Sequence, residues 1–474
     1  MRIVAFALFA VALLGACAPD EAPPRHVLLI TVDTLRADHL SVYGYPRATS
    51  DALAELAERS VVFERAIAQW PKTGPSFASL FTGLYPQTTG LTHRAAIELP
   101  DEYLTLAELF SAGGFVTAAV VSNGVLRREL GWNQGFDQYL ETWKLSPVEV
   151  EDPVEYRRWV HAGRVNELAL PLLDRLKDSE RLFLWLHYSD PHAPYILPEG
   201  VENPFVGDPW YVGDQMVKLE SPRRAKAVGD NPELRHYVAH YDANIRYTDL
   251  KIRELLDHAG KLGLLDDALV AFTADHGESL GEHDYFFGHG RLPYNASAHV
   301  PLLLSYPRRT RPARRVASPV ELVDLYPTLR RLAVPELEVP GLEGRSLEPF
   351  LEPGDVDGDA AGAFRYAFAQ AGGGGGPRTH FRSVQDRRFK LIYHPPRRTR
   401  RGGEKPPHWE LYDLEDDPME TRDLLAEERR EGQRLRTELF AWMKGSDWII
   451  RRPEQIEARS QEALKALKAL GYVE

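Results

Sequence analysis

Five stretches of this chain are continuously apolar and rich in β-branched residues, and helical patterns separate them. The first is 26–32 (HVLLITV), followed by 115–121, 182–187, 269–274 and 300–305. Runs without polar alternation predict strands buried on both faces, which is the habit of parallel sheets. Apolar residues at helical spacing recur over 50–59, 104–112, 165–177 and from 234 to about 259. Strand and helix in alternation predict an α/β fold: a large, mainly parallel sheet flanked by helices.

In such folds ligands bind beyond the carboxyl ends of the strands, so the polar residues just after each run carry the functional signal. Asp33 follows the first run. Asp190 and His192 follow another, within Ser189-Asp190-Pro191-His192-Ala193-Pro194-Tyr195. Asp275-His276-Gly277-Glu278 follows a third. One aspartate after a strand is an ordinary turn or cap residue. Three such strand ends bring carboxylates and imidazoles to one sheet edge, a pattern that predicts a shared metal site.

A further stretch, Trp70-Pro71-Lys72-Thr73-Gly74-Pro75-Ser76-Phe77-Ala78-Ser79-Leu80-Phe81-Thr82-Gly83, reads as a loop turning into a short helix. Gly74 and Pro75 break what precedes, and proline suits a first helical turn. Thr73 then lies at or just outside a helix N-terminus, where free N–H groups favour an anion.

The beginning of the chain has a different character. Met1-Arg2 is a short basic start, 3–14 is apolar, and Leu14-Gly15-Ala16 precedes Cys17, the only cysteine. Such a segment is too short for a mature membrane span and reads as an export signal. Leu14 to Cys17 resembles the lipobox of bacterial lipoproteins, which implies an exported protein held to a membrane by a lipid on Cys17, on the periplasmic or extracellular side. Residues 18–25 form a tether. The folded part is then expected to divide into a catalytic domain over 26–335, a C-terminal subdomain over 336–445 and a charged helical tail over 446–474. In the subdomain, 381–384, 388–393 and 409–414 read as strands of a small antiparallel α+β unit, and 395–407 (PPRRTRRGGEKPP) as a basic insertion between two of them. With 43% hydrophobic and 27% charged residues the chain is that of a folded protein, and its net charge of −12 excludes a generic nucleic-acid binder.

Taken in order, these pieces resemble the sulfatase family of the alkaline-phosphatase superfamily over residues 26–425. The resemblance rests on Val32-Asp33-Thr34-Leu35-Arg36-Ala37-Asp38, Tyr43-Gly44-Tyr45, Asp51-Ala52-Leu53-Ala54-Glu55-Leu56-Ala57, the Thr73 stretch, Asp190 to Tyr195, Asp275 to His283, Val300-Pro301-Leu302, and Glu410-Leu411-Tyr412-Asp413-Leu414. It implies an ester hydrolase in which Asp33, Asp275, His276 and Thr73 bind a metal and Thr73 is the nucleophile. His192 and His289 would hold the anion or move protons, and Lys390 would contact the sulfate or phosphate.

Three departures bear on the chemistry. Members that act through formylglycine carry a Cys/Ser-x-Pro-Ser-Arg pattern, which here reads Thr73-Gly74-Pro75-Ser76-Phe77, and the second opening aspartate is Thr34. Threonine would oxidise to a ketone, not the aldehyde. The same departures resemble the phosphatases, phosphodiesterases and phosphoethanolamine transferases of the superfamily, which use an unmodified hydroxyl. Phosphate mono- or diester cleavage is therefore expected. The alternatives are a sulfuric ester hydrolase working without formylglycine, a phosphotransferase, and an inactive anion-binding lipoprotein. A histidine beside two carboxylates favours zinc or manganese over calcium. One metal is the minimum, and a second could draw on His283, His289, His192 or Asp190. The expected substrate is an anionic ester on a small molecule, glycan or lipid.

Overall fold

The structure is a computed structural model that describes residues 22–92, 98–146, 152–208, 216–217, 225–229, 231–310, 313–351, 365–372, 379–398 and 403–445. The export signal with Cys17, most of the tether, the glycine run 372–376 beyond Gly372, and the tail helix lie outside the described residues. Among the described residues no helix is long and apolar enough to cross a membrane.

The large sheet contains β1 (His26–Val32), β2 (Val61–Ile67), β3 (Val116–Val121), β4 (Gln138–Glu141), β5 (Leu182–Tyr188) and β6 (Ala268–Ala274). After a short hairpin of β7 (Ser279–Leu280) and β8 (Phe286–Gly288) come β9 (His299–Ser305), β10 (Arg314–Val316) and β11 (Val320–Glu321). Their order is β10-β2-β9-β6-β1-β5-β3-β4, with β11 also on β2. All five anticipated runs are strands of this sheet. The run at 300–305 departs in direction: β9 is antiparallel to both β2 and β6. β2 escapes a reading by apolarity because Glu64 and Arg65 interrupt it where its register with β9 shifts.

Register is what positions the site. β1 pairs in parallel with β5 and with β6, so that Val32, Tyr188 and Ala274 lie side by side. Val121 of β3 pairs with His187. The residues just past each strand therefore emerge at one edge. Alternation along β5 divides its side chains between two helical layers. Phe183 stacks on Phe110 of the helix Leu106–Ala112, and Trp185 packs on Phe77 and Phe81 of the helix Thr73–Thr82. Tyr188, of the other parity, hydrogen bonds Asn166 in the helix Ala162–Leu176.

The second sheet is antiparallel, in the order β12 (Ala367–Ala371), β13 (Phe381–Gln385), β14 (Phe389–His394) and β17 (His408–Asp413). A two-stranded ribbon, β15 (Arg397–Arg398) with β16 (Glu404–Lys405), extends the β14–β17 hairpin within the basic insertion. Val384, Leu391 and Leu411 pack on Leu435 and Leu439 of the helix Arg429–Lys444. On the opposite face Ile392 and Tyr412 pack on Tyr294, next to the short helix Asn295–Ala298.

Lys390, expected to contact the sulfate or phosphate, shares that second face. Its buried ammonium pairs with Glu420 at 2.8 Å and donates to Asn295 Oδ1 at 2.8 Å. Glu420 in turn accepts from the Asn295 N–H at 2.6 Å. Lys390 thus ties the small sheet to the large domain and is not among the residues gathered around Thr73. Both partners are at most 2% exposed, so removing one leaves a buried, unpaired charge. Lys390→Ala is expected to lower unfolding free energy by about 3–5 kcal/mol. Lys390→Met combined with Glu420→Gln should recover most of the loss, as read by urea denaturation.

Candidate active site

Thr73 opens the helix Thr73–Thr82, with Lys72 as its N-cap, and so lies at the helix N-terminus as expected. The hydroxyl of Ser76 donates to the Asp275 carbonyl at 2.6 Å and binds the helix start to the end of β6. Gly277, two residues further on, lets the short helix Asn295–Ala298 approach: a Cβ there would lie 2.3 Å from the Ala296 carbonyl oxygen.

Around Thr73, three side chains each keep one polar atom engaged and leave another open. Asp33 Oδ2 accepts from Asn123 Nδ2 at 2.5 Å, while Oδ1 is buried without a partner. Asp275 Oδ1 accepts from the N–H groups of Thr34 and His276 at 3.2 and 2.8 Å, while Oδ2 is open. His276 Nδ1 lies 2.9 Å from the Gly277 carbonyl. A carbonyl only accepts, so Nδ1 carries the proton and Nε2 offers its lone pair. That Nε2 is 3.8 Å from Asp33 Oδ1, 3.4 Å from Asp275 Oδ2 and 3.5 Å from Thr73 Oγ1. The backbone strains to deliver the donors, with Thr34 at φ 54°.

Asp33, Asp275 and His276 are at most 1% exposed. Burial and the neighbouring Asp275 carboxylate push the Asp33 carboxyl well above its ordinary range. Burial pushes Asp275 up to about 7 and, with His289 nearby, drives His276 down. Two buried carboxylates beside a neutral imidazole are an arrangement that a divalent cation stabilises. Their ligand atoms lie within 4.8 Å of one another, and the oxygen-and-nitrogen donor set fits a divalent ion.

Two further histidines line the site. His289 is ring to ring with His276 at 4.4 Å and with His192 at 5.4 Å. His289 Nδ1 meets Glu278 Oε1 at 3.0 Å, and Glu278 is itself buried and bound by the Tyr195 hydroxyl. His192 Nδ1 donates to the Ala193 carbonyl at 2.6 Å. Of the other histidine and aspartate considered for a second ion here, His283 stacks on Tyr294 at 3.5 Å. Asp190 is held by Arg157 and by the N–H of Ala162. Neither joins the cluster.

Phe77 stands on a dry wall, against Trp185 at 5.2 Å, His187 at 4.9 Å and Trp132 at 6.4 Å. Asn123 escapes the sequence reading, although it lies just past β3 and the strand-end rule that finds Asp33 applies to it equally. Glu278, which the sequence presents only as part of a motif, is the partner that orients His289.

The shifted carboxyls give the metal-free protein a signed pH dependence. Folded Asp275 and Asp33 bind protons more readily than their unfolded counterparts. Their contribution is therefore greatest in acid and declines as pH rises from the ordinary 3.8 toward about 7. Thermal midpoints of the metal-free protein are expected to fall across that window. Added zinc should raise the midpoint most at the neutral end, and an unchanged zinc effect at the acid end would contradict the account.

The model of the sulfatase family matches residues 25–334, and that of the N-sulphoglucosamine sulphohydrolase C-terminal region matches 281–444. Among curated relatives, the ulvan-active sulfatase of Formosa agariphila is 27% identical over 393 residues, covering 78% of this chain and 73% of its own. Among solved structures, a 2-O GAG sulfatase superposes with a TM-score of 0.68 at 21% identity, covering 95% of this chain and 96% of its own. The phosphonate monoester hydrolase of Agrobacterium radiobacter does so at 0.66 and 22%, covering 89% and 95%. The large sheet with its small antiparallel companion is the fold these structures share. The chain belongs to the sulfatase family and is a sulfatase-family hydrolase.

Proposed function

We propose that this hydrolase cleaves phosphate mono- or diesters with Thr73 as the nucleophile. One observation carries the reading: an unmodified threonine hydroxyl lies 3.5 Å from His276 Nε2, beside the open carboxylate oxygens. Phe77 supports it, because the arginine that accompanies formylglycine is replaced by an aromatic ring in an apolar cluster.

Asp33 Oδ1, Asp275 Oδ2, His276 Nε2 and Thr73 Oγ1 would hold the divalent ion, which when bound supplies Lewis acidity toward the hydroxyl and the phosphoryl oxygen. The N–H groups at the start of the Thr73 helix face the incoming anion. Thr73 Oγ1, its proton given up to solvent before the substrate enters, forms the new O–P bond as the ester O–P bond breaks. The departing oxygen takes a proton from His289 Nε2, whose ring Glu278 aligns through Nδ1. His289, now neutral, then accepts a proton from the water that attacks phosphorus, and Thr73 leaves as it began. His192 flanks the same space and is placed to hold the anion. Lys390 has no part in this scheme.

The relatives favour a second reading, sulfuric ester cleavage without formylglycine, since the ulvan-active enzyme is a sulfatase. Stripping the metals and restoring zinc, manganese or calcium singly, with aryl phosphate, aryl phosphodiester and aryl sulfate as substrates, separates the two. Phosphate turnover with zinc or manganese exceeding that with calcium is expected. Thr73→Ala should lose roughly 10⁴-fold or more in kcat, and His289→Ala about 10²- to 10⁴-fold. Sulfate turnover above both phosphate activities would overturn the phosphate reading. The natural substrate class is proposed to be an anionic glycan, lipid or small-molecule ester. The protein would meet it while anchored through a lipid on Cys17, an attachment that radiolabelled fatty acid incorporation, lost in Cys17→Ser, would test.

A further inference from the structure

A second set of ligating side chains meets outside the active site, where the β14–β17 hairpin leaves the small sheet. His394 is directly opposite His408 across the antiparallel pair. Glu410 is two residues further along β17, so the two-residue period of a strand puts all three on one face. It is the face that carries Ile392 and Tyr412 toward Tyr294.

Both imidazoles turn Nε2 to the same carboxylate. His394 Nε2 is 2.8 Å from Glu410 Oε2, and His408 Nε2 is 3.4 Å from Oε1. The rings stack with centroids 4.1 Å apart, and one ligand atom from each of the three residues lies within 4.8 Å of the others. A tetrahedral zinc with bonds of about 2.1 Å separates its ligands by roughly 3.4 Å. His408, 44% exposed, has the freedom to close the remaining gap.

The carboxylate is braced as the outer partners of metal ligands usually brace them. Glu410 Oε2 accepts from the hydroxyls of Tyr294 at 2.6 Å and Tyr412 at 3.0 Å. That fixes the group in place and turns Oε1 toward His408.

We propose that His394, His408 and Glu410 form a second divalent-metal site, separate from the catalytic cluster, that takes zinc with solvent in its fourth position. Two imidazoles and one carboxylate suit that ion. Its place in the fold gives it a structural task. It joins the two strands at the cross-strand pair from which the basic ribbon 395–407 departs, and so fixes the direction in which that ribbon leaves the sheet.

Zinc alone is the probe, applied to the purified protein freed of metal and dialysed against a buffered zinc series. Zinc content and affinity are compared for wild type, His408→Ala and Asp33→Asn. Wild type is expected to hold two zinc ions per chain, and each variant one. The affinity of the site lost in His408→Ala should fall at least 100-fold, beyond what loss of an outer partner costs. Cobalt(II) in place of zinc should give a visible absorption band in Asp33→Asn that vanishes on adding His408→Ala. Because His408 is half exposed, its replacement leaves the core intact, and a circular dichroism spectrum checks this. Equal zinc content and affinity in wild type and His408→Ala would overturn the proposal. Loss of zinc from Asp33→Asn with none lost from His408→Ala would do the same while leaving the catalytic reading standing.

Discussion

Two carboxylates buried side by side set the terms for the whole molecule. Asp33 and Asp275 emerge from neighbouring parallel strands whose last residues are in register, and each reaches the cluster with an oxygen that no hydrogen bond satisfies. Such a pair is costly in a dry interior unless a cation joins it. The surroundings are arranged for that occupant. Asn123 and two backbone N–H groups hold the outer oxygens, and a carbonyl fixes the tautomer of His276. A helix N-terminus brings a hydroxyl to the rim.

Much of this is legible because parallel sheets leave a plain trace in sequence. Continuous apolar runs locate five strands of the large sheet, and the polar residues at their carboxyl ends include Asp33, His192, Asp275 and His276. The resemblance to the sulfatase family adds Thr73 and His289. The features that stay hidden do so for physical causes. The reversed direction of β9 cannot be read from its composition, since a buried strand is equally apolar in either sense. β2 is masked by the charged pair at its register shift. Lys390 sits on a strand that reads correctly as a strand, yet its role depends on Glu420 and Asn295, which lie far from it along the chain. Asn123 escapes notice because an amide after a strand is commonplace until its partner is known.

The small sheet serves both of its faces. One is closed by the helix Arg429–Lys444 around Leu435 and Leu439. The other meets the large domain through Tyr294, Tyr412 and the Lys390–Glu420 pair. Polar groups predominate on that second face, so its fit depends on matched partners and not on apolar area alone. Tyr294 belongs to the segment just after His289, and the chain that carries a catalytic candidate is thereby packed on the C-terminal unit.

Phe77 has a consequence for any attempt to install formylglycine chemistry here. A phenylalanine that fills the space between Trp185, Trp132 and His187 is more than the loss of an arginine. It fills that corner with an aromatic ring. Restoring cysteine at position 73 would supply a precursor for the aldehyde and still leave no room for the charged side chain that goes with it. Arginine at 77 would bring its charge among the rings of Trp185, Trp132 and His187. The two positions share one helix: Thr73 opens it and Phe77, one turn on, packs on Trp185 and His187, so cysteine at 73 alone would not recreate the formylglycine motif.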